Sequence, residues 1–301
     1  MSVIIRLMNA EDVIPADQVF RLAFGKFVGL PNPMDFCGDA TDIPHRWKTN
    51  PEGAFVAEEH GEIVGSNLAT RWGSFAFFGP LTVRPDYWNQ KVAQQLIEPI
   101  LQCYEQWNIQ LAGLYTFSAS PKHHALYQKF GFRLRFLSVI MAKKVKSTTL
   151  ITIEKNTVEE NTIEHQFSQF TESQQSEFLT ASRELTHSVY SGLDLTSEIE
   201  AVRDLKLGET IALWSDRGLA GFAVCHVGAN TEAGSDTCYL KFAIARSESD
   251  FNQLLDLCEA FAAYQRMLAR GFRTELTGVA MHRPNDPGFS RPDVFVVDDW
   301  R

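Results

Sequence analysis

From Leu81 to Leu101 the chain reads LTVRPDYWNQKVAQQLIEPIL, an apolar strand that ends at Arg84-Pro85 and passes within a few residues into helical spacing. Val92, Leu96, Pro99, Ile100, Cys103 and Trp107 share one face, which predicts a helix from about Gln90 to Trp107 with a kink tolerated at Pro99. A strand that feeds straight into a helix crosses over a sheet, so an α/β fold is required before anything else is read. The first amides of such a helix have no partner inside it and stand at the positive end of its dipole, so the turn is an anion site by construction. The backbone donors of Asn89, Gln90, Lys91, Val92 and Ala93 can ring a diphosphate. If the strand splays from its neighbour, Leu81, Thr82 and Val83 keep N–H and C=O groups free for an extended, amide-bearing ligand. Every parallel crossover has a turn of this kind, so the turn alone names no ligand.

The segments around it fix the order. Val3 to Leu7 reads as a strand and Ala16 to Phe24 as a helix ending at Gly25. Residues 29–47, GLPNPMDFCGDATDIPHRW, are too rich in Gly, Pro and Asp for regular structure and read as a long functional loop or a broken helix. GAFVAEE and EIVGSNLATRW flank a hairpin signal at His60-Gly61, and FAFFGPLTV follows as a third strand. LAGLYTF is a buried strand, KHHALYQKF a short helix stopped by Gly131, and FRLRFLSVIMA a last strand. The order β-α-β-β-β-α-β-α-β calls for a mixed sheet whose central strand-helix-strand connection is a parallel crossover.

At 301 residues the chain is long enough for about two domains. The clearest break is KKVKSTTLITIEKNTVEENTIEH, from Lys143 to His165, and charge divides there too. Residues 1–147 hold 15 basic and 13 acidic groups (+2), and 148–301 hold 13 basic and 24 acidic (-11), which add to the chain's -9. In the second half, TIALWSDRGLAGFAVCHV repeats the strand-turn-strand pattern with Gly221 where Gly65 stands, YLKFAIA follows as a strand, and FNQLLDLCEAFAAYQRMLARG as a helix. A diverged duplication accounts for both. The division expected is therefore 1–147 and 148–301. No apolar run reaches the roughly 18 to 20 residues of a membrane span, and the N-terminus turns polar too soon for a signal segment. The net charge argues against nucleic acid as a partner. Five scattered cysteines (Cys37, Cys103, Cys225, Cys238, Cys258) with no C-x-x-C pair argue for buried thiols in a reducing compartment, without disulfides or a zinc site. A soluble cytoplasmic protein, with no membrane or nucleic-acid partner, is the expectation, and a homodimer is an assembly open to it.

The strand end Val83-x-Pro85, with Ala93 and Leu96 after it, and the later segment SPKHHALYQKFGF, with Tyr127 three residues short of Phe130 and followed by Gly131-Phe132, resemble the GNAT superfamily of N-acetyltransferases over about residues 3–142. The Tyr-x-x-x-Gly-Phe ending is the most specific element. The resemblance implies two GNAT-like mixed β-sheet domains in tandem, flanked by helices. In the first, acetyl-CoA would lie on Leu81, Thr82 and Val83, with its pyrophosphate on the Trp88-to-Ala93 turn and Ser120 nearby. Tyr127 resembles the family's general acid, which would protonate the coenzyme A thiolate, and an amine of a small molecule or peptide would accept the acetyl group. Trp88 stands where the family has Arg or Gln, Lys91 takes the place of the first loop glycine, and Ser120 stands where Asn is frequent. A non-catalytic coenzyme A binding or regulatory protein that keeps the fold is the alternative. No metal is implied.

Of the remaining candidates, no carboxylate lies in FAFFGPLTV, so the proton of the acceptor amine would pass through water or through Glu58 or Glu59. His123 and His124, adjacent on a helix, point about 100 degrees apart, cannot share a metal, and read as surface residues. Asp42, His45 and Trp47 are open to two readings, as a wall of the acceptor pocket or as plain loop residues. In the second half, ARSESDFNQLL offers acidic groups in place of the pyrophosphate turn. That half is expected to have lost cofactor binding and to lend acidic groups, such as Asp298 or Asp299, to the acceptor cleft.

Overall fold

A computed structural model describes residues 3–143, 163–258, 271–291 and 293–300. Most of the Lys143 to His165 composition break, and the second half of the helix read from Phe251 onward, lie outside these residues. Thirteen strands and seven α-helices make up the described chain. The first sheet begins with β1 (Ile4–Leu7), β2 (Ala54–Glu59), β3 (Glu62–Trp72) and β4 (Phe75–Phe78), all antiparallel neighbours. β4 then pairs in parallel with β6 (Leu111–Phe117), with α3 (Val92–Gln106) as the crossover between them. This is the connection the sequence requires.

Several local expectations change in ways that position the site. Helix α1 spans Val13–Val28 and does not stop at Gly25. A Cβ on Gly25 would stand 2.1 Å from the Pro33 carbonyl oxygen, so this glycine admits the returning loop, and the helix ends at left-handed Gly29, φ 80°. The loop beyond contains a real helix, α2 (Ile43–Thr49), opened by Pro44 in its first turn. FAFFGPLTV is two pieces: after Phe78 the chain leaves β4, and β5 (Thr82–Val83) pairs only with β3, Ser66 opposite Thr82 and Gly65 opposite Val83.

The second sheet, in spatial order, is β13 (Phe295–Asp298), β11 (Gly234–Ala245), β10 (Gly218–Gly228), β9 (Gly208–Ser215) and β8 (Ile163–Gln166), antiparallel throughout. The parallel between Gly65 and Gly221 has a physical cause. A Cβ on Gly65 would meet the Thr82 carbonyl oxygen at 2.8 Å, and a Cβ on Gly221 would meet that of Ile244 at the same distance. In both halves the strand that leads toward a helix crosses this glycine closely, from β5 to α3 and from β11 to α7 (Glu248–Cys258). Two helices between β8 and β9, α5 (Glu172–Val189) and α6 (Thr196–Asp204), escape the sequence reading although α5 opens with a capping box, Thr171 and Gln174.

The division at residue 147 does not separate the sheets. The chain continues after α7 into β12 (Arg273–Arg283), which enters the first sheet between β6 and β7 (Arg133–Ala142). Gly278 to Arg283 pair with Phe117 to Ala112 on one side, and Arg273 to His282 pair with Ala142 to Arg133 on the other. The largest buried core is likewise shared: Trp72, Phe75 and Phe77 of the first sheet pack with Phe242, Phe289 and Trp300 of the second half. No helix among the described residues is long and apolar enough to cross a membrane.

Candidate active site

The cleft forms where β4 and β6 part. They pair from Phe75–Leu111 to Phe77–Gly113, and beyond this the first strand veers to β3. Arg84 donates its amide to Val64 C=O at 2.8 Å. By strand alternation the backbone groups of Thr82 and Arg84 face β3, and those of Leu81 and Val83 face the gap. One of the expected free groups is spent: the Trp88 indole N–H donates to Val83 C=O at 2.7 Å. Trp88 thus ties the turn to the strand, and Lys122 Nζ lies 6.0 Å from its ring. The gap opens into a cleft of about 640 Å³ lined by Leu81, Thr82, Val83, Trp88, Asn89, Lys91, Val92, Ala93 and Tyr127, so most of the sequence-derived set converges on one cavity.

The turn before α3 is shaped for an anion. Asn89 and Lys91 both have left-handed backbones, φ 65° and 64°. Lys91 is the N-cap and its side chain makes no capping hydrogen bond. Among the described residues nothing accepts from the amides of residues 89 to 93. Alternating left-handed residues in front of a helix turn successive N–H groups into one concavity. The matching turn of the second half is closed: Ser247 Oγ accepts from the Asp250 amide and donates to the Asp250 carboxylate at the start of α7. Lys91, Lys122 and Lys129 line the cleft, and among the described residues no carboxylate does.

Lys91, in the place of the first loop glycine, has a left-handed backbone, φ 64°. The residue takes the glycine conformation with a side chain attached, which costs roughly 1–2 kcal/mol for an L-residue. Lys91→Gly is therefore expected to stabilise the fold by about 1 kcal/mol, a rise in Tm of roughly 2–4 °C in thermal unfolding, where an ordinary helical position would lose stability. Lys91→Ala keeps the backbone strain and is expected to show no such gain.

Tyr127 lies on α4 (Pro121–Lys129), whose first turn holds Pro121 and whose end is released by left-handed Gly131. Its ring packs at 5.8 Å from Phe78, and its hydroxyl end lies near the Thr116 side chain. Burial holds the phenol protonated well above its ordinary range, which the Thr116 hydroxyl offsets only in part. One turn earlier, His123 also lines the cleft, with Phe27 at 5.0 Å and Phe117 at 6.5 Å between ring centroids. His124 points away and binds the Phe117 carbonyl through Nε2 at 3.1 Å. The two histidines diverge as a helix requires, but His123 is a cleft residue and not a surface one. Phe24 and Phe27 of α1 close the aromatic side. The sequence offered one signal for this wall, the four-residue step from His123 to Tyr127.

Other candidates lie elsewhere. Ser120 is the buried residue before α4 and does not line the cleft, and the Gln90 side chain is turned to the Asp86 carbonyl, so only its backbone serves the turn. Glu58 pairs with Arg6 at 2.7 Å and Glu59 accepts from the Tyr87 hydroxyl, and neither reaches the cleft. Trp47 is a core contact whose indole donates to Met8 C=O, and Asp42 stands 3.9 Å from Arg46. Asp298 is half-buried on β13 opposite Phe242, where desolvation and Asp299 raise its carboxyl to about 7, and it does not line the cleft.

His45 belongs to a buried polar cluster that joins the halves. Glu232 faces His45 Nε2 at 2.8 Å, Arg46 Nε at 2.9 Å and Lys241 Nζ at 2.7 Å. Arg46 also donates to the Gly79 carbonyl at 2.9 Å, beside the break between β4 and β5. Burial would raise the Glu232 carboxyl, yet Arg46 and Lys241 hold it well below the ordinary range. His45, His226 and Glu232 lie close enough to share an ion, but both Glu232 oxygens already serve these donors. Withdrawing one member of such a buried set costs roughly 3–5 kcal/mol, because it strands the opposite charge.

A splayed parallel pair, an open helix N-terminus and a buried tyrosine thus face one another across a single gap. The model of the acetyltransferase (GNAT) family matches residues 25–132, so this part of the chain is a GNAT acetyltransferase domain. Over 99% of this chain and 95% of the other, the fold is similar to that of a candidate acetyltransferase from Pyrococcus horikoshii, with a TM-score of 0.66 at 14% identity. The PaiA N-acetyltransferase from Thermoplasma acidophilum, solved in complex with coenzyme A, aligns with 45% of this chain and 92% of its own at 18% identity and a TM-score of 0.39. No curated protein sequence matches the chain.

Proposed function

We propose that the protein moves an acetyl group from acetyl-CoA to a primary amine of a small molecule or peptide. The observation that carries this reading is the unpaired, left-handed amide turn at Asn89 to Ala93, opening with three lysines into the same cleft as Tyr127. The amides and Lys91 would hold the pyrophosphate, and Leu81 and the Val83 N–H would bind the amides of the pantetheine arm. Tyr127 would give its proton to the sulfur as the carbon–sulfur bond breaks. Burial keeps the phenol protonated, so the proton is in place when the carbon–sulfur bond breaks.

Calorimetry with acetyl-CoA tests the reading directly. A saturable heat and a rise in melting temperature are expected, and neither appearing at millimolar ligand overturns it. Lys91→Ala is expected to weaken acetyl-CoA binding by roughly 1.5–3 kcal/mol and to flatten its salt dependence, as the loss of a charged hydrogen bond does. Trp88 and Lys91, which depart from the family's loop residues, favour a second reading, a coenzyme A binding protein without turnover. Saturable binding with no acetylation across a broad amine panel would select it. The absence of a disulfide among the five cysteines, all within the described residues, fits a reducing, cytoplasmic setting.

A further inference from the structure

The transfer needs a base, because a primary amine arrives as an ammonium ion and only its neutral form attacks a thioester. The cleft offers few titratable side chains: Tyr87, Lys91, Lys122, His123, Tyr127 and Lys129. The three lysines are already cations. Tyr87 donates to Glu59, and Tyr127 is held protonated by burial. One group remains that is an acceptor at neutral pH. We propose that His123 takes the proton from the acceptor's ammonium group, so that base and acid stand one helical turn apart on the cleft face of α4. The proposal rests on the acetyltransferase reading above.

The surroundings fit that role. The ring packs beside Phe27, which itself contacts Phe117, at the aromatic side of the cleft, where an amine with an apolar body would enter. Burial, then Lys122 and His124, lowers the imidazole below its ordinary pKa, which keeps it neutral at pH 7. The rings beside it, Phe27 of α1 and Phe117 of β6, carry no charge. In the step, an imidazole nitrogen takes one N–H proton and frees the amine lone pair. The carbon–nitrogen bond forms, the carbon–sulfur bond breaks, and sulfur takes the Tyr127 proton. The second N–H proton returns through water to the Tyr127 oxygen, and the imidazolium releases its proton to solvent.

The test is the pH dependence of kcat/KM, with the best acceptor from a panel of primary arylalkyl and aliphatic amines and thiol release as the readout. Wild type is expected to level off above about pH 7. His123→Gln is expected to be roughly 10² to 10⁴ lower at pH 7 and to climb with unit slope toward the pKa of the free amine, while acetyl-CoA affinity stays within a few-fold. His123→Phe, which preserves the ring contact with Phe27, should behave alike. A wild type that acetylates no amine overturns both this proposal and the function it rests on. An active wild type whose His123→Gln variant keeps both rate and plateau overturns the base alone.

Discussion

Replacing Tyr127 by Phe is expected to lower kcat by roughly 10² to 10⁴ while acetyl-CoA affinity stays within a few-fold, as for the loss of one general acid. The separation is possible because the ring and the hydroxyl do different things. The ring belongs to the core between the first sheet and helices α3 and α4, beside Phe78 and Phe132, and Phe keeps that packing. The hydroxyl is a single polar group near Thr116, and its removal changes stability by no more than about 1 kcal/mol, too little to unfold a chain of this size. Burial raises the phenol, so no alkaline limb below about pH 10 should come from Tyr127 in wild type. Steady-state thiol release and calorimetry on the same preparation measure the two halves of the expectation. Turnover equal to wild type would leave Tyr127 as a packing residue.

The cleft was legible because its parts are local. The strand end at Val83, the amphipathic period of α3 and the Tyr127-to-Phe132 ending each lie within a few residues of sequence, where hydrophobic spacing and turn chemistry act directly. What escaped depends on contacts made at a distance. The left-handed backbone at Lys91 could not be read because a lysine does not advertise it, whereas glycine would have. His123 was lost because two adjacent polar residues look like a solvent face until Phe27, from a helix nearly a hundred residues earlier, covers one of them. His45 and Arg46 sat in a Pro-rich stretch that reads as loop, and only Glu232 and Lys241 from the other half explain their burial. The place of β12 is the extreme case. Its partners β6 and β7 lie more than 130 residues before it, and an alternating strand pattern says which face is buried without saying which sheet receives it.

That strand makes the second large expectation: residues 1–147 expressed alone should not give a stable folded domain. Without β12, the facing edges of β6 and β7 lose the ladder that runs from Arg273 to Arg283. The two strands would have to pair directly or present unpaired backbone to other chains, which is a route to aggregation. Trp72, Phe75 and Phe77 are fully buried in the whole chain, and the second half supplies Phe242, Phe289 and Trp300 against them. Re-exposing large side chains costs roughly 1.5–3 kcal/mol each, so even half of that over three residues consumes much of the roughly 5–15 kcal/mol that holds a typical domain together. Arg46 would lose its closest carboxylate, Glu232, and keep Asp42 at 3.9 Å, which weakens its hold on the Gly79 carbonyl at the break between β4 and β5. The measurement is near-UV circular dichroism, size exclusion and acetyl-CoA titration of the 1–147 fragment. Aggregation or a loose, non-binding fragment is expected, and co-expression with residues 148–301 should recover binding as β12 re-enters the sheet. A monodisperse fragment that binds acetyl-CoA like the whole chain would mean that β6 and β7 close the sheet by themselves, and that the shared strand is dispensable to the first half.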